Sequence, residues 1–300
     1  MQAAAIGPGE AGAPGAPPAA PAAPLWRSRA ALLALPAVLL LLAFFVVPVA
    51  MLLSRSVLDP HPGLQNYAAL VAGPGFAGIL LNTFLVSTIV TAVTLLVGFP
   101  LAWLLVVLPA AWGRLLFGII VLSMWTNLLT RTFGWMVLLQ SRGVINRTLL
   151  ALGLIDQPLP LINNLAGITI GMTYIMIPFI VLPLQATLAS IDPAILRAAS
   201  LCGAGRGQVF LRVLLPSCRT GIAAGCLMVF VMSLGYFVTP SLLGSASDMM
   251  LAEWIAQLVQ SMLDWGLGGA AAFVLLVLTL ALYGLQLRLL NPLDLAEKSR

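Results

Sequence analysis

Long uncharged apolar stretches alternate with short polar connections over most of the chain. Between Arg29 and Arg55 lie 25 uncharged residues, enough to cross a hydrocarbon core of about 30 Å at about 1.5 Å per residue. Further stretches of spanning length cover residues 79–107, 115–139, 165–187, 220–243 and 266–287, each bounded by charges, prolines or polar clusters. The pattern predicts an all-α, polytopic membrane protein with six transmembrane helices. A cleaved signal peptide is the rival reading of the first stretch, but its apolar region runs to only about 15 residues and needs basic residues at the extreme N-terminus. Residues 1–24 are almost entirely Ala, Pro and Gly with one charge, Glu10. That composition offers nothing to bury, so a disordered cytoplasmic tail is expected there, ahead of a transmembrane domain over 25–300. Gly7, Gly9 and Gly12 fit a G-x-G-x-x-G spacing, but no strand precedes them and no helix follows, so no dinucleotide site is read from them.

Residues 188–219 break the apolar rhythm. They hold Asp192, Arg197, Arg206, Arg212 and Arg219, each costing about 2.5–3.5 kcal/mol at a bilayer centre, which keeps the segment out of the membrane. Asp192 followed by Pro193 reads as an N-cap with proline in the first helical turn. Ile195, Ala198, Ala199 and Cys202 then recur at helical spacing. Gly203, Gly205 and Gly207 interrupt that helix, a second short one runs through Val209, Phe210 and Val213, and Pro216 is expected to turn the chain into the fifth span. Small residues on a short surface helix let another protein approach closely, and Arg206 and Arg212 offer it charge. A plain loop lying on lipid headgroups is the other reading.

Composition narrows the chemistry. Of 300 residues 61% are apolar and 8% charged, against roughly 25% charged in soluble domains. The one lysine, Lys298, has no glycine-rich turn before it, which excludes an ATP-binding P-loop. His61 is the one histidine, so no imidazole pair holds a metal and a hydrolytic triad would have a single possible base. Arg27, Arg29, Arg114, Arg197, Arg206, Arg212, Arg219, Arg288, Lys298 and Arg300 share one side of the six-span arrangement, ten of the fourteen basic residues. The positive-inside rule assigns that side, with both termini, to the cytoplasm. Arg55, Arg142 and Arg147 fall outside together with Asp59, Asp156, Asp248 and Asp264, so the outer loops are close to neutral. The net charge of +5 is therefore topological, and no basic patch with interleaved aromatics points to nucleic acid. Cys202, Cys218 and Cys226 fall in one short region on the inner side, and neither a disulfide nor a metal site is expected from them.

The run Arg197-Ala198-Ala199-Ser200-Leu201-Cys202-Gly203, followed by Val213-Leu214-Leu215-Pro216, resembles the Glu-Ala-Ala-x-x-x-Gly to Leu-Pro motif of binding-protein-dependent ABC importer permeases. More narrowly, Leu81-Asn82-Thr83, the run from Trp125 to Thr132, Gly153-Leu154-Ile155-Asp156, Phe237-Val238-Thr239-Pro240 and Asp264-Trp265 are similar to the spermidine/putrescine-type subfamily. The likeness covers about residues 79–290. It implies a type I-like permease fold whose coupling loop, 188–219, docks on an ATPase through Arg197, Ala198, Ala199, Gly203, Arg206 and Pro216. It further implies two ATPase subunits carrying ATP and Mg, a second permease subunit and a periplasmic solute-binding protein, in a bacterial inner membrane. This chain itself would hold no catalytic residue, cofactor or metal. Arg197 stands where the family usually has glutamate, which reverses the charge at that position. The subfamily serves several solutes, so a polyamine cargo is an expectation that family membership does not fix.

A solute path through a helix bundle needs inward polar groups, since a solute stripped of water requires replacement hydrogen bonds. Thr83, Ser87, Thr91 and Thr94 form such a stripe in the second span, and Ser123, Thr126, Asn127, Thr130 and Arg131 another in the third. The plainer reading is helix glue, because Ser and Thr commonly bond their own backbone or a neighbouring helix at about 0.6 kcal/mol each. Arg131, about 12 Å deep by helical rise if the third span is unbroken, marks a pathway or gate by default, with snorkelling to the interface or a structural ion pair as the rivals. Tyr236, between Gly235 and Phe237, occupies a position where polyamine-type relatives often carry an acid. Its ring still offers a cation–π face, but with Arg131 present an anionic or zwitterionic solute is a rival to a polycation. A self-powered secondary transporter would need paired intramembrane acids, which the sequence does not offer. A nonconducting assembly protein is separated from a transporter by a solute-uptake assay.

Overall fold

A computed structural model describes residues 29–289, with side chains from 35 to 285. The Ala/Pro/Gly-rich tail over 1–24, Lys298 and both chain ends lie outside the described residues. Among the described residues every regular element is helical.

The N-terminal unit begins with α1 (Arg29–Leu41), which continues through a π-helical stretch (Leu42–Val46) into α2 (Val47–Leu58). Leu35–Leu58 is apolar enough and, at 24 residues, long enough to span a membrane. Its side chains from Leu35 to Met51 are all exposed, as befits an apolar rod whose solvent is lipid.

The larger unit starts at Leu52. It contains α3 (Gln65–Ala72), α4 (Phe76–Val107), α5 (Ala110–Trp125), α6 (Leu128–Leu139), α7 (Val144–Ala151) and α8 (Leu165–Ala189). After α8 come α9 (Pro193–Leu201), α10 (Arg206–Val209), a π-helical stretch (Phe210–Leu214) and α11 (Leu215–Ser217). Then follow α12 (Arg219–Leu234), α13 (Val238–Leu243), a 3-10 turn (Ala246–Asp248), α14 (Leu251–Gln260) and α15 (Trp265–Leu289). Among the described residues four helices are long and apolar enough to cross a membrane alone, and counting the bent pairs 110–125 with 128–151 and 206–217 with 219–234 as one span each raises the number to as many as six.

The centre is a three-helix core of α4, α8 and α12, where Val86, Val90, Met176, Ile180, Leu184 and Val229 are buried together. Lipid is as apolar as these side chains, so burial alone gives little drive to associate, and close approach at small residues supplies the contact. Ile180 of α8 fills that role between two glycines. A Cβ on Gly98 would lie 2.4 Å from its Cγ2, and one on Gly225 would lie 2.9 Å from its Cγ1. Farther along, a Cβ on Gly221 would meet the Thr187 hydroxyl at 2.4 Å. A second cluster joins α3, α14 and α15 through Leu70, Leu251, Leu258 and Ala271. Phe76, Ile79 and Leu80 of α4 pack against it, and a polar contact adds to them: Thr83 Oγ1 donates to Ile79 O at 2.7 Å and accepts from Leu251 N at 2.8 Å, fully buried. Thr83→Val keeps the shape but strands the Leu251 N–H, and a loss of about 1–3 kcal/mol is expected, readable as a lowered unfolding midpoint in detergent.

Two expected spans are broken. The run 115–139 is not one helix: α5 and the α6–α7 arm meet at 103°. Asn127 starts the new helix, its side chain accepting from Leu129 N at 2.9 Å and Thr130 N at 3.4 Å. Such a cap satisfies backbone donors that a continuous helix would have paired. Arg131 therefore sits in the first turn of α6, past the bend, and the 12 Å depth drawn from an unbroken third span does not hold. The run 220–243 also breaks: α12 stops at Leu234 after 16 residues, and α13 starts afresh at Val238. Gly171 explains where α13 goes, since a Cβ there would strike Leu243 at 2.5 Å and Thr239 at 2.9 Å.

Candidate functional site

Residues 193–217 form an elbow at one end of the three-helix core. Asp192 caps α9 by accepting from Ala194 N at 2.8 Å, with Pro193 in the first turn, as the dipeptide predicts. Gly203 ends the helix at φ +84°, a left-handed conformation that glycine adopts without steric cost. There Gly203 N donates to Ser200 O at 3.1 Å and Ala204 N to Ala199 O at 3.2 Å, the paired bonds of a Schellman closure. The second arm, 206–217, starts with Gly205 N donating to Gln208 Oε1 at 3.2 Å. It runs on to Ser217 and bends by 65° into α12, so the corner lies at Cys218, two residues beyond the Pro216 corner that the sequence suggested.

The inner face of the elbow is anchored. Leu214 is buried, and Ile191, Leu196, Phe210 and Leu215 pack on the central core. Phe210 meets the rings of Phe99 and Trp103, each at 5.8 Å between centroids. The outer face is open: Arg197, Ala198, Gly203, Arg206 and Pro216 are exposed and Ala199 is half-buried. Two apolar side chains that the motif did not single out stand out there. Leu201 is 89% exposed and Ile195 50%. A cavity of about 250 Å³ opens between the arms, bordered by Trp103, Leu196, Ser200, Arg206 and Phe210.

The polar stripe of the second span divides. Thr83, Ser87 and Thr94 are fully buried, with Thr94 Oγ1 donating to Val90 O at 2.6 Å and the Ser87 hydroxyl without a partner. Thr91 lies at the stripe's edge and turns toward an open groove of about 440 Å³ between α4 and α12. Thr88, Ala92, Ala223, Cys226 and Phe230 line that groove with it. Thr88 was missed because it is one position round the helix from the stripe.

The third-span candidates fare differently again. Asn127 is an N-cap and Thr130 is exposed. Arg131 keeps a buried Nε with no hydrogen-bond partner. Tyr236 lies with its side chain against Thr239 and within electrostatic reach of Arg131. Thr239 in turn is 3.3 Å from Thr132 Oγ1. The fold thus brings Arg131 and Tyr236 together, while Thr83 and Ser87 belong to the packed core. Glu253 is a further charged group that the sequence reading passed over. It shares one side of α14 with Gln257 and Gln260, opposite the buried Leu251 and Leu258. Burial pushes its carboxyl above the ordinary range, against a hydrogen bond with the Met250 backbone. Among the described residues the one ion pair is Arg55–Asp59 at 3.3 Å, so neither Glu253 nor Arg131 is paired.

The profile of the family described as binding-protein-dependent transport system inner membrane component matches residues 65–292. The chain belongs to this family. Spermidine/putrescine transport system permease protein PotB of Salmonella typhimurium is 35% identical over 231 residues, 76% of this chain and 80% of that protein. PotB of Escherichia coli K12 is 34% identical over 231 residues, 76% and 84% of the two chains. A third relative, from Salmonella typhimurium and provisionally named 2-aminoethylphosphonate transport system permease protein PhnU, is 26% identical over 263 residues, 86% and 91% of the two chains. Among solved structures, a chain of the bacterial alginate ABC transporter with a pentasaccharide-bound periplasmic protein shares the fold at TM-score 0.64 and 22% identity, covering 89% of this chain and 98% of its own. A chain of the MetNI methionine ABC transporter in an inward-facing form does so at 0.54 and 17%, over 73% and 98%. The permease is accordingly a multi-pass inner-membrane component of an ABC importer and not an enzyme. Its elbow and both broken spans lie inside the matched region.

Proposed function

We propose that this permease forms, with a second permease subunit, the pathway of an ATP-driven importer for a spermidine/putrescine-type polyamine delivered by a periplasmic binding protein. The observation that carries the cargo is the 35% identity to PotB over 231 residues, 76% of this chain. In this reading the elbow faces the cytoplasm with both termini, and its open face, Arg197, Ala198, Ala199, Gly203, Arg206 and Pro216, seats one of two ATPase subunits that carry ATP and Mg. Closure of the ATPases moves residues 193–217 as one piece, because Phe210 and Leu214 clamp the elbow to the core. That movement tilts α4 and α12 and changes the groove holding Thr88 and Thr91, which lines the solute path against the second permease. Glu253 and the ring of Tyr236 are the groups suited to an ammonium ion.

The unpaired Arg131 favours a second reading, a zwitterionic solute such as an aminophosphonate, since a guanidinium attracts phosphonate and repels a polycation. Calorimetry of the cognate receptor with spermidine, putrescine and 2-aminoethylphosphonate, beside uptake in a deletion strain, separates the two. Tight binding of the phosphonate alone would overturn the polyamine reading. Uptake that persists without ATP hydrolysis would overturn both. Arg131→Gln is expected to lower the maximal uptake rate about tenfold, equivalent to roughly 1.4 kcal/mol, with receptor affinity unchanged. Unaltered kinetics would remove Arg131 from the pathway.

A further inference from the structure

Where α4 hands over to α5, a cavity of about 350 Å³ opens beside α8. Leu105 and Leu108 form one wall, Gly113, Arg114 and Phe117 of α5 a second, and Gln185 of α8 closes it. Its two polar side chains, Arg114 and Gln185, both carry hydrogen-bond donors. Arg114 spends only Nε, on Ala110 O at 3.1 Å, leaving both terminal amino groups free. Among the described residues the Gln185 amide has no hydrogen-bond partner either, and no carboxylate lines the space. The neighbouring Trp112 and Leu115 are 62% and 54% exposed, so the cavity opens at an apolar surface, at the level where a helix begins. An apolar wall with a cationic, donor-rich floor at a membrane edge suits a negatively charged head on a hydrocarbon tail. Neither a neutral lipid nor a soluble anion answers both halves of that description.

We propose that this cavity binds an anionic phospholipid, its phosphate oxygens taking charge-assisted hydrogen bonds from Arg114 and a further one from Gln185, and its acyl chain lying along Leu105 and Phe117. Placement in the inner leaflet rests on the orientation given above, whereas the binding chemistry does not. Gln185 is eight residues before Pro193, where the elbow starts, so the bound headgroup ties the ends of α4, α5 and α8 together next to the coupling element.

The test is native mass spectrometry of the full-length chain in mild detergent, titrated with phosphatidylglycerol and, separately, phosphatidylcholine. The wild type is expected to retain phosphatidylglycerol in preference. Arg114→Gln should weaken that retention about tenfold and Gln185→Leu about fivefold, with Arg142→Gln, an exposed arginine elsewhere, at the wild-type level. If Arg114→Gln does not accumulate, Gln185→Leu carries the test with the charge intact. Equal retention of the two lipids, or undiminished phosphatidylglycerol binding by Arg114→Gln and Gln185→Leu, overturns the proposal. Displacement of the lipid by excess inorganic phosphate reassigns the cavity to a free anion and overturns it also. Loss of ATPase recruitment in Arg114→Gln with lipid retention unchanged would mean that a partner's acidic side chain fills the space. Because the readout is made in detergent, it survives a reversal of membrane orientation, which cysteine labelling at position 206 tests independently.

Discussion

Ala199→Asp is expected to abolish ATP-dependent uptake, lowering it by about two orders of magnitude, while leaving the permease folded in the membrane. Ala199 lies on α9 between exposed Ala198 and the Schellman closure that it helps to make with its carbonyl. Ala199 is half-buried, so a cost of about 1 kcal/mol in folding stability is expected, and the membrane level of the variant is measured beside its uptake. The open face around it combines exposed apolar Leu201 and Ile195 with exposed Arg197 and Arg206. A docked surface of that kind loses water at its centre, and an aspartate placed there would be desolvated and would compete with the partner for Arg197 and Arg206. Truncation or mischarging of such central positions costs about 2–4 kcal/mol, which corresponds to a factor of roughly thirty to a thousand in affinity. Co-purification of the ATPase subunit and uptake of labelled spermidine into vesicles read the two consequences separately. Normal recruitment and normal uptake in Ala199→Asp would disprove docking at the elbow. Leu201→Ser is the companion measurement: recruitment should fall here as well, since the 89% exposed leucine has no role in the isolated chain.

Much of this elbow was legible in the sequence because its signals are local. Asp192-Pro193 names a helix start, and Gly203 names a stop whose left-handed φ of +84° most residues avoid. Charges too costly to bury set the expectation that it lies outside the bilayer. Span lengths were legible for the same reason, since a run of uncharged residues either reaches across the hydrocarbon or does not. The broken spans were not. Within an apolar run, periodicity does not distinguish a straight helix from two helices meeting at 103°. The clue at the first break was Asn127, read as a polar pathway residue although asparagine at a helix start is a cap. At the second it was Gly235 ahead of Pro240, where α12 gives way to α13. The polar stripe was ambiguous for another reason. Thr83, Ser87 and Thr94 recur at helical spacing whether they face a solute or a neighbouring helix, and only the packing of α8 and of Leu251 against α4 decides. Glu253 was invisible because its half-burial comes from tertiary placement of α14, which is not written in the helix itself.

Gly98→Val is expected to destabilise the permease by about 2–3 kcal/mol, the scale of overpacking in a filled core, and to remove transport with it. The added Cβ would stand 2.4 Å from Ile180 Cγ2, well inside contact distance. Ile180 has nowhere to retreat, because its other side is held by Gly225, where the hypothetical Cβ is 2.9 Å from Cγ1 and 3.4 Å from the Ile180 backbone. α4 must therefore move away from α8, and Phe99, the next residue, carries the ring on which Phe210 of the elbow rests. A shift of α4 at this point loosens the contact between Phe99 and Phe210, on which the proposed coupling depends. Three measurements fix the cause. The unfolding midpoint in detergent should fall in Gly98→Val and in Gly225→Val. The double substitution should depart from additivity, since both act on one side chain. Ile180→Ala placed in the Gly98→Val background should recover part of the loss, because it removes the atom that the valine strikes. Strict additivity together with no recovery would show that Ile180 is not the wedge between α4 and α12.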